Sequence, residues 1–172
     1  TLAMHLCRGN FKSTHAASGN YEPVAEALLS EMNLDAYFME YDDDRSGDFR
    51  PLRFLKPGKT VVLGLVTTKF GAMESKDTLT RRIDEASKYA PLDQLALSPQ
   101  CGFSSTVHGN NIAVEAQRAK LRLVVETART DQDDRGVRAV GARDPAVWSS
   151  EAHACMRRGI AALKFGLLPG AE

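Results

Sequence analysis

The sequence predicts an α/β fold built on parallel strands, and three observations carry that expectation. Strand-like and helix-like patterns alternate from Leu2 to Arg129. The run Thr60-Val61-Val62-Leu63-Gly64-Leu65-Val66 is apolar on both faces. Such a run suits a strand covered by other elements on either side. A length of 172 residues with 43% hydrophobic content is enough for a buried core and too apolar for a disordered chain. Two architectures satisfy this alternation, an open doubly wound sheet and part of an eight-stranded barrel.

The elements follow in order. Leu2 to Cys7 is the first strand-like run, and Ala36 to Tyr41 the second. Between them, Glu22-Pro23 is a good helix start, because proline suits a first turn. Val24, Ala27, Leu28 and Met32 then recur at helical spacing. Gly47 and Pro51 make Arg45 to Leu55 a loop with at most a short helix. Thr60 to Val66 is the third strand. Asp77 is the expected cap of a second helix with Leu79, Ile83, Ala86 and Ala90 on one stripe. Leu95 to Ser98 is the fourth strand. Asn110 or Asn111 is the expected cap of a third helix, with Gln117, Leu121, Val124, Val125 and Ala128 on its face.

Residues 130–172 differ in character. Asp131 to Gly136 is polar and turn-rich, and Ala-, Arg- and Gly-rich sequence follows. One helix, Ser150 to Leu163, is conceivable there; otherwise the segment is expected to be a loosely attached or disordered tail, with Trp148 as its anchor.

Charge and cysteine content narrow the function. Twenty-two Lys and Arg balance twenty-two Asp and Glu. Neither nucleic acid nor a membrane surface is therefore an expected partner. No apolar stretch approaches the roughly 20 residues that a membrane-spanning helix needs. Three widely spread cysteines do not form a secreted disulfide framework, so a reducing, cytoplasmic setting is expected.

The chemistry-bearing residues gather at strand ends. His5 and Cys7 stand two apart on a strand, so both point to one face. Glu40 closes the second strand on the face of Ala36 and Phe38, where a buried acid needs a partner. Cys101 follows the fourth strand in Ser98-Pro99-Gln100-Cys101-Gly102. If the sheet curls into a barrel, these carboxyl ends converge. An imidazole, two thiols and a carboxylate then make a plausible zinc set. Zinc holds a substrate thiol as thiolate although a free thiol has a pKa of about 8.5, and such a sulfur is ready for alkylation.

His-x-Cys on a strand, a strand-ending Glu and a late Cys-Gly after Ser-Pro-Gln resemble the carboxyl-terminal catalytic domain of cobalamin-independent methionine synthase. That family sits in a barrel superfamily with uroporphyrinogen decarboxylase and zinc-dependent coenzyme M alkyltransferases. The resemblance covers roughly Leu2 to Arg129 and implies the second half of a TIM-type (β/α)8 barrel. It implies Zn2+ held by His5, Cys7, Glu40 and Cys101. It further implies methyl transfer from 5-methyltetrahydrofolate to the thiol of homocysteine, in methionine biosynthesis. The expected alternatives are alkyl transfer to another small thiol such as coenzyme M, or an inactive zinc-binding fragment. Four strand–helix units fall short of a barrel, so the missing first half is expected upstream of Thr1.

The resemblance departs from the family in lacking the acceptor- and folate-recognising residues of earlier strands or an amino-terminal domain, and in one place inside the matched stretch. The family carries a His after the third strand seen here, whereas this chain reads Val66-Thr67-Thr68-Lys69. Lys69 is expected to be an exposed, solvated charge, with proton donation as the alternative. Asp42-Asp43-Asp44 is expected to be a solvated loop, with a site-facing role as the alternative because it follows a strand directly. His15 and His108 are expected to be exposed loop residues, and Cys155 a bystander thiol. Arg8 and Asn10 are expected either to touch substrate or simply to form a turn.

Overall fold

A computed structural model describes residues 2–104, 109–135 and 138–139 of the chain, the last eight of these by backbone alone. Five parallel strands form one sheet: β1 (Ala3–Leu6), β2 (Ala36–Glu40), β3 (Thr60–Val66), β4 (Leu95–Pro99) and β5 (Arg138–Ala139). Each strand lies beside the next one in the chain, in the order β1-β2-β3-β4-β5. A doubly wound sheet reverses direction at a switch point. This sheet advances without reversal, as a segment of barrel wall does, and that decides between the two architectures left open by periodicity.

The sheet separates two apolar layers. Tyr37, Met39, Val61, Leu63, Leu95 and Leu97 pack with Leu28, Leu29, Leu79, Ile83 and Val124 of the helical layer. Phe38, Val62 and Ala96, with Ala3, cluster on the opposite face. The register pairs Ala3 with Ala36, His5 with Phe38, Phe38 with Val62, and Val62 with Ala96. His5 and Glu40 share that second face by the alternation of the pleat. The metal-type side chains therefore stand on the face away from the helices.

The helical elements depart from expectation in instructive ways. The first expected helix is a 3-10 turn at Glu22–Val24 followed by a π segment at Ala27–Glu31. Met32 N–H accordingly reaches back to the Ala27 carbonyl, at 3.2 Å. The 3-10 start and the wider turn after it both break the 3.6-residue period. Ala25, Leu28 and Leu29 are buried, while Val24 and Ala27 of the expected stripe are exposed. The second, α1 (Lys76–Ser87), is capped by Ser75 rather than Asp77. Ser75 Oγ accepts from Thr78 N–H at 3.1 Å. Asp77 sits in the first turn, where a carboxylate favours the helix dipole. The expected stripe of Leu79, Ile83, Ala86 and Ala90 is buried.

The third helix, α2 (Val114–Arg135), begins after the expected caps and runs past Arg129. Asn110 instead donates to the Thr68 carbonyl at 2.9 Å. Beyond α2, the two residues of β5 pair beside Ala96 and Leu97 of β4. The segment around Gly47 and Pro51 holds only short 3-10 turns, Asp44–Ser46 and Arg50–Phe54. His108, Trp148, Cys155 and the conceivable helix at Ser150 to Leu163 lie outside the described residues. Among the described residues, no helix is long and apolar enough to cross a membrane.

Candidate metal centre

Among the described residues, His5, Cys7 and Cys101 form one group whose ligand atoms all lie within 4.8 Å of one another. His5 and Cys7 arrive together because they are two apart at the end of β1. Cys101 has farther to come, since β4 is separated from β1 by two strands. Gly64 in β3 makes that approach possible. A Cβ there would lie 2.8 Å from Gln100 Cα and 2.9 Å from the Met39 carbonyl oxygen, both closer than real side chains tolerate. Without that atom, the chain leaving β4 crosses over β3. Gln100 N–H bonds the Val66 carbonyl at 2.8 Å, and the β3–β4 register shifts between Gly64 and Val66. Cys101 Sγ then stands 3.5 Å from His5 Nε2.

The sulfurs are prepared for a cation. The Cys7 thiol is lowered to about 3, first by its hydrogen bond with Cys101 and then by that with His5. Partial burial opposes the shift, while Gly9 N–H and the His5 charge assist it. Cys7 is exposed and Cys101 buried. Gln100 Nε2 donates to Cys101 Sγ at 2.7 Å. The buried Gln100 is held in turn by Thr68, whose hydroxyl donates to Gln100 Oε1 at 3.4 Å and accepts from Asn10 Nδ2 at 3.2 Å. One imidazole nitrogen and two sulfurs, one of them held toward the thiolate, are donors that suit zinc. Their spacing allows one ion to be shared.

Glu40 is placed differently from the other three. It is fully buried, and its carboxylate lies among cations rather than in the nitrogen–sulfur group. Oε2 accepts from Arg8 N–H at 2.5 Å, and Oε1 accepts from Lys69 Nζ at 3.2 Å. The guanidinium groups of Arg8 and Arg45 stand 3.9 and 3.8 Å away. Its backbone is anchored by Tyr21, whose hydroxyl accepts from Glu40 N–H at 2.8 Å. The Tyr21 hydroxyl also lies 3.2 Å from the Glu40 carbonyl and 3.3 Å from that of Leu6, bridging the ends of β1 and β2. Burial pushes the Tyr21 hydroxyl up to about 12, against the pull of Arg8, so it stays neutral. Arg8 stacks on the Tyr21 ring at 4.1 Å.

Two surface expectations are overturned. Lys69 is 2% exposed, and besides Glu40 it donates to Asp42 Oδ2 at 2.9 Å. Asp42 is correspondingly buried rather than solvated, with 1% of its side chain exposed. Burial pushes its carboxyl up, with Lys69 opposing. Asp43 accepts from Arg45 N–H at 3.0 Å and pairs with the Arg45 guanidinium. Burial works against its ionisation, but the Arg45 bonds hold it below the usual carboxylate range. Asp44 and His15 are exposed, as expected. Arg8 and Asn10 build the site from within a turn, in which Gly9 adopts φ 93°. Gln100, Tyr21 and Arg45 belong to the site without having been singled out by sequence; Gln100 alone had a signal, its place beside Cys101.

Comparisons with known proteins identify the family. The family described as the cobalamin-independent synthase catalytic domain matches residues 3–130. Two uncharacterized proteins of Bacillus subtilis strain 168, YxjH and YxjG, are each 57% identical over 129 residues. These matches cover 74% of this chain and 34% of each relative, so the chain spans about a third of their length. A crystal structure of a provisionally assigned vitamin-B12 independent methionine synthase from Listeria monocytogenes is 36% identical, with a TM-score of 0.54. The match covers 74% of this chain and 34% of that one. A B12-independent methionine synthase from Shewanella sp. W3-18-1, solved with selenomethionine, shares the fold at 21% identity and a TM-score of 0.60. It matches 77% of this chain and 38% of its own.

Proposed function

This chain belongs to the family of cobalamin-independent synthase catalytic domains, and we propose that it supplies the metal-binding part of a zinc-dependent methyltransferase. The proposed reaction passes a methyl group from 5-methyltetrahydrofolate to the thiol of homocysteine, giving methionine. One observation carries the proposal, the convergence of His5, Cys7 and Cys101. Zinc, when bound there, supplies a Lewis acid that keeps an acceptor thiol ionised at neutral pH.

The chain's own residues do the rest. His5, Cys7 and Cys101 would hold the ion, with Glu40 as the fourth proposed ligand. Gln100 orients the Cys101 sulfur through its amide N–H. Arg8 and Tyr21 fix the ends of β1 and β2 relative to one another. A second reading keeps the metal and changes the acceptor to another small thiol such as coenzyme M. It is motivated by Lys69, which follows β3 in the stretch where the resemblance implies a His and is tied to Glu40 and Asp42.

Zinc titration of the chain against a chromophoric chelator tests the site. One ion per chain is expected, and Cys7→Ser or Cys101→Ser is expected to weaken binding by about 100-fold or more. A Cys101→Ser variant that bound as tightly as the parent would remove Cys101 from the ligand set. Turnover by a full-length relative that keeps these residues, with homocysteine and with coenzyme M, separates the two acceptors.

A further inference from the structure

Lys69 is a buried ammonium with two carboxylate partners, and one of them is the proposed fourth metal ligand. Its Nζ lies 3.2 Å from Glu40 Oε1 and 2.9 Å from Asp42 Oδ2. The three side chains are 1%, 0% and 1% exposed. The lysine backbone is held from two sides. Lys69 N–H donates to Thr67 Oγ1 at 3.3 Å, and the Lys69 carbonyl accepts from Ser13 Oγ. Arg8 and Arg45 also face Glu40, but their guanidinium nitrogens lie at 3.9 and 3.8 Å, beyond hydrogen-bond reach.

We infer that Lys69 is a positioning residue that latches the Glu40 carboxylate away from the His5, Cys7 and Cys101 group, with Asp42 as the partner that retains Lys69 when Glu40 is released. The inference rests on the zinc reading of that group. An ammonium left alone in a buried site is costly, because desolvation is no longer offset. Here the closer partner, Asp42, stays when Glu40 turns away, so release strands no buried cation. Glu40 keeps the Arg8 N–H through its other oxygen. In the inferred release the carboxylate keeps that one bond, and Lys69 sets the balance between the latched and the released positions.

Zinc affinity of the chain, by chelator competition, reads this balance in Lys69→Met, Lys69→Gln, Asp42→Asn, Glu40→Gln and the combinations with Glu40→Gln. Removing Lys69 is expected to tighten zinc binding by about tenfold, since Glu40 becomes free to ligate. Asp42→Asn leaves Lys69 with Glu40 alone and is expected to weaken binding several-fold. Both effects are expected to vanish in the Glu40→Gln background. The Asp42→Asn arm keeps the lysine, so it tests the latch even where a Lys69 variant fails to fold. A general loss of positive charge would instead tighten binding equally with and without Glu40, and that result overturns the latch while leaving the zinc site standing. A parent chain that takes up no stoichiometric zinc overturns the zinc reading itself, and the latch falls with it.

Discussion

At the scale of single residues, hydrogen bonds with Cys101 and His5 hold Cys7 toward its thiolate form. Its pKa of about 3 lies far below the ordinary thiol value, so its hydrogen bonds stabilise the folded chain above the unfolded pKa. That stabilisation falls away progressively as pH drops from the unfolded value, and is gone below the folded value near 3. The exposed Cys7 thiolate is therefore expected to alkylate with iodoacetamide at a rate nearly independent of pH between 5 and 7. An ordinary thiol slows about 100-fold over that interval. Peptide mass spectrometry assigns the modified cysteine, and a steep rise with pH at Cys7 would contradict the assignment. His5, Cys7 and Cys101 were legible because their residue types and strand-end positions are written locally. Lys69 was not, because a lone lysine after a strand has no periodic signal, and Asp42, from another loop, completes its burial.

At the scale of elements, the segment between β3 and α1 is clamped to α2. Lys120 is fully buried and donates to the Ala72 carbonyl and to Glu74 Oε2, the latter at 2.7 Å. Glu74 Oε1 accepts from Thr67 N–H at 2.9 Å. The clamp therefore holds the turn that carries Thr67, Thr68 and Lys69. Glu74→Ala leaves the Lys120 charge without its carboxylate and is expected to cost about 3 kcal/mol, the lower end for a broken buried pair because Glu74 is partly exposed. Urea unfolding measures this, and an unchanged midpoint would show that the clamp contributes nothing. The same scale explains the mixed outcome for helices. Leu79, Ile83 and Ala86 obey a 3.6-residue period and were legible. The π segment at Ala27–Glu31 was not, because its wider turn alters the period on which sequence patterns rest.

At the scale of the whole molecule, the proposed ion joins the two ends of the β1–β4 wall. Its ligands come from β1 and from the turn after β4, while β2 and β3 lie between. Binding is then coupled to the curl of the sheet, so zinc is expected to stabilise the entire fold. At a free zinc concentration about 100 times Kd, linkage contributes about 2.7 kcal/mol, or a rise in Tm of about 5–10 °C for a domain of this size. Thermal unfolding with zinc and with EDTA checks this, and Cys101→Ser is expected to abolish the difference. An equal rise in that variant would place the stabilising ion elsewhere. The sequence by itself determined the β1–β4 strands, their parallel arrangement and the kinds of donor atom at their ends. Those features follow from periods of 2 and 3.6 residues and from an i, i+2 spacing, all local properties of the chain. Only the tertiary structure decided that Cys101 reaches His5 and that Glu40 faces Lys69 instead. The first depends on Gln100 crossing over Gly64, the second on a charge pairing between separate loops, and neither contact exists until distant segments have packed together.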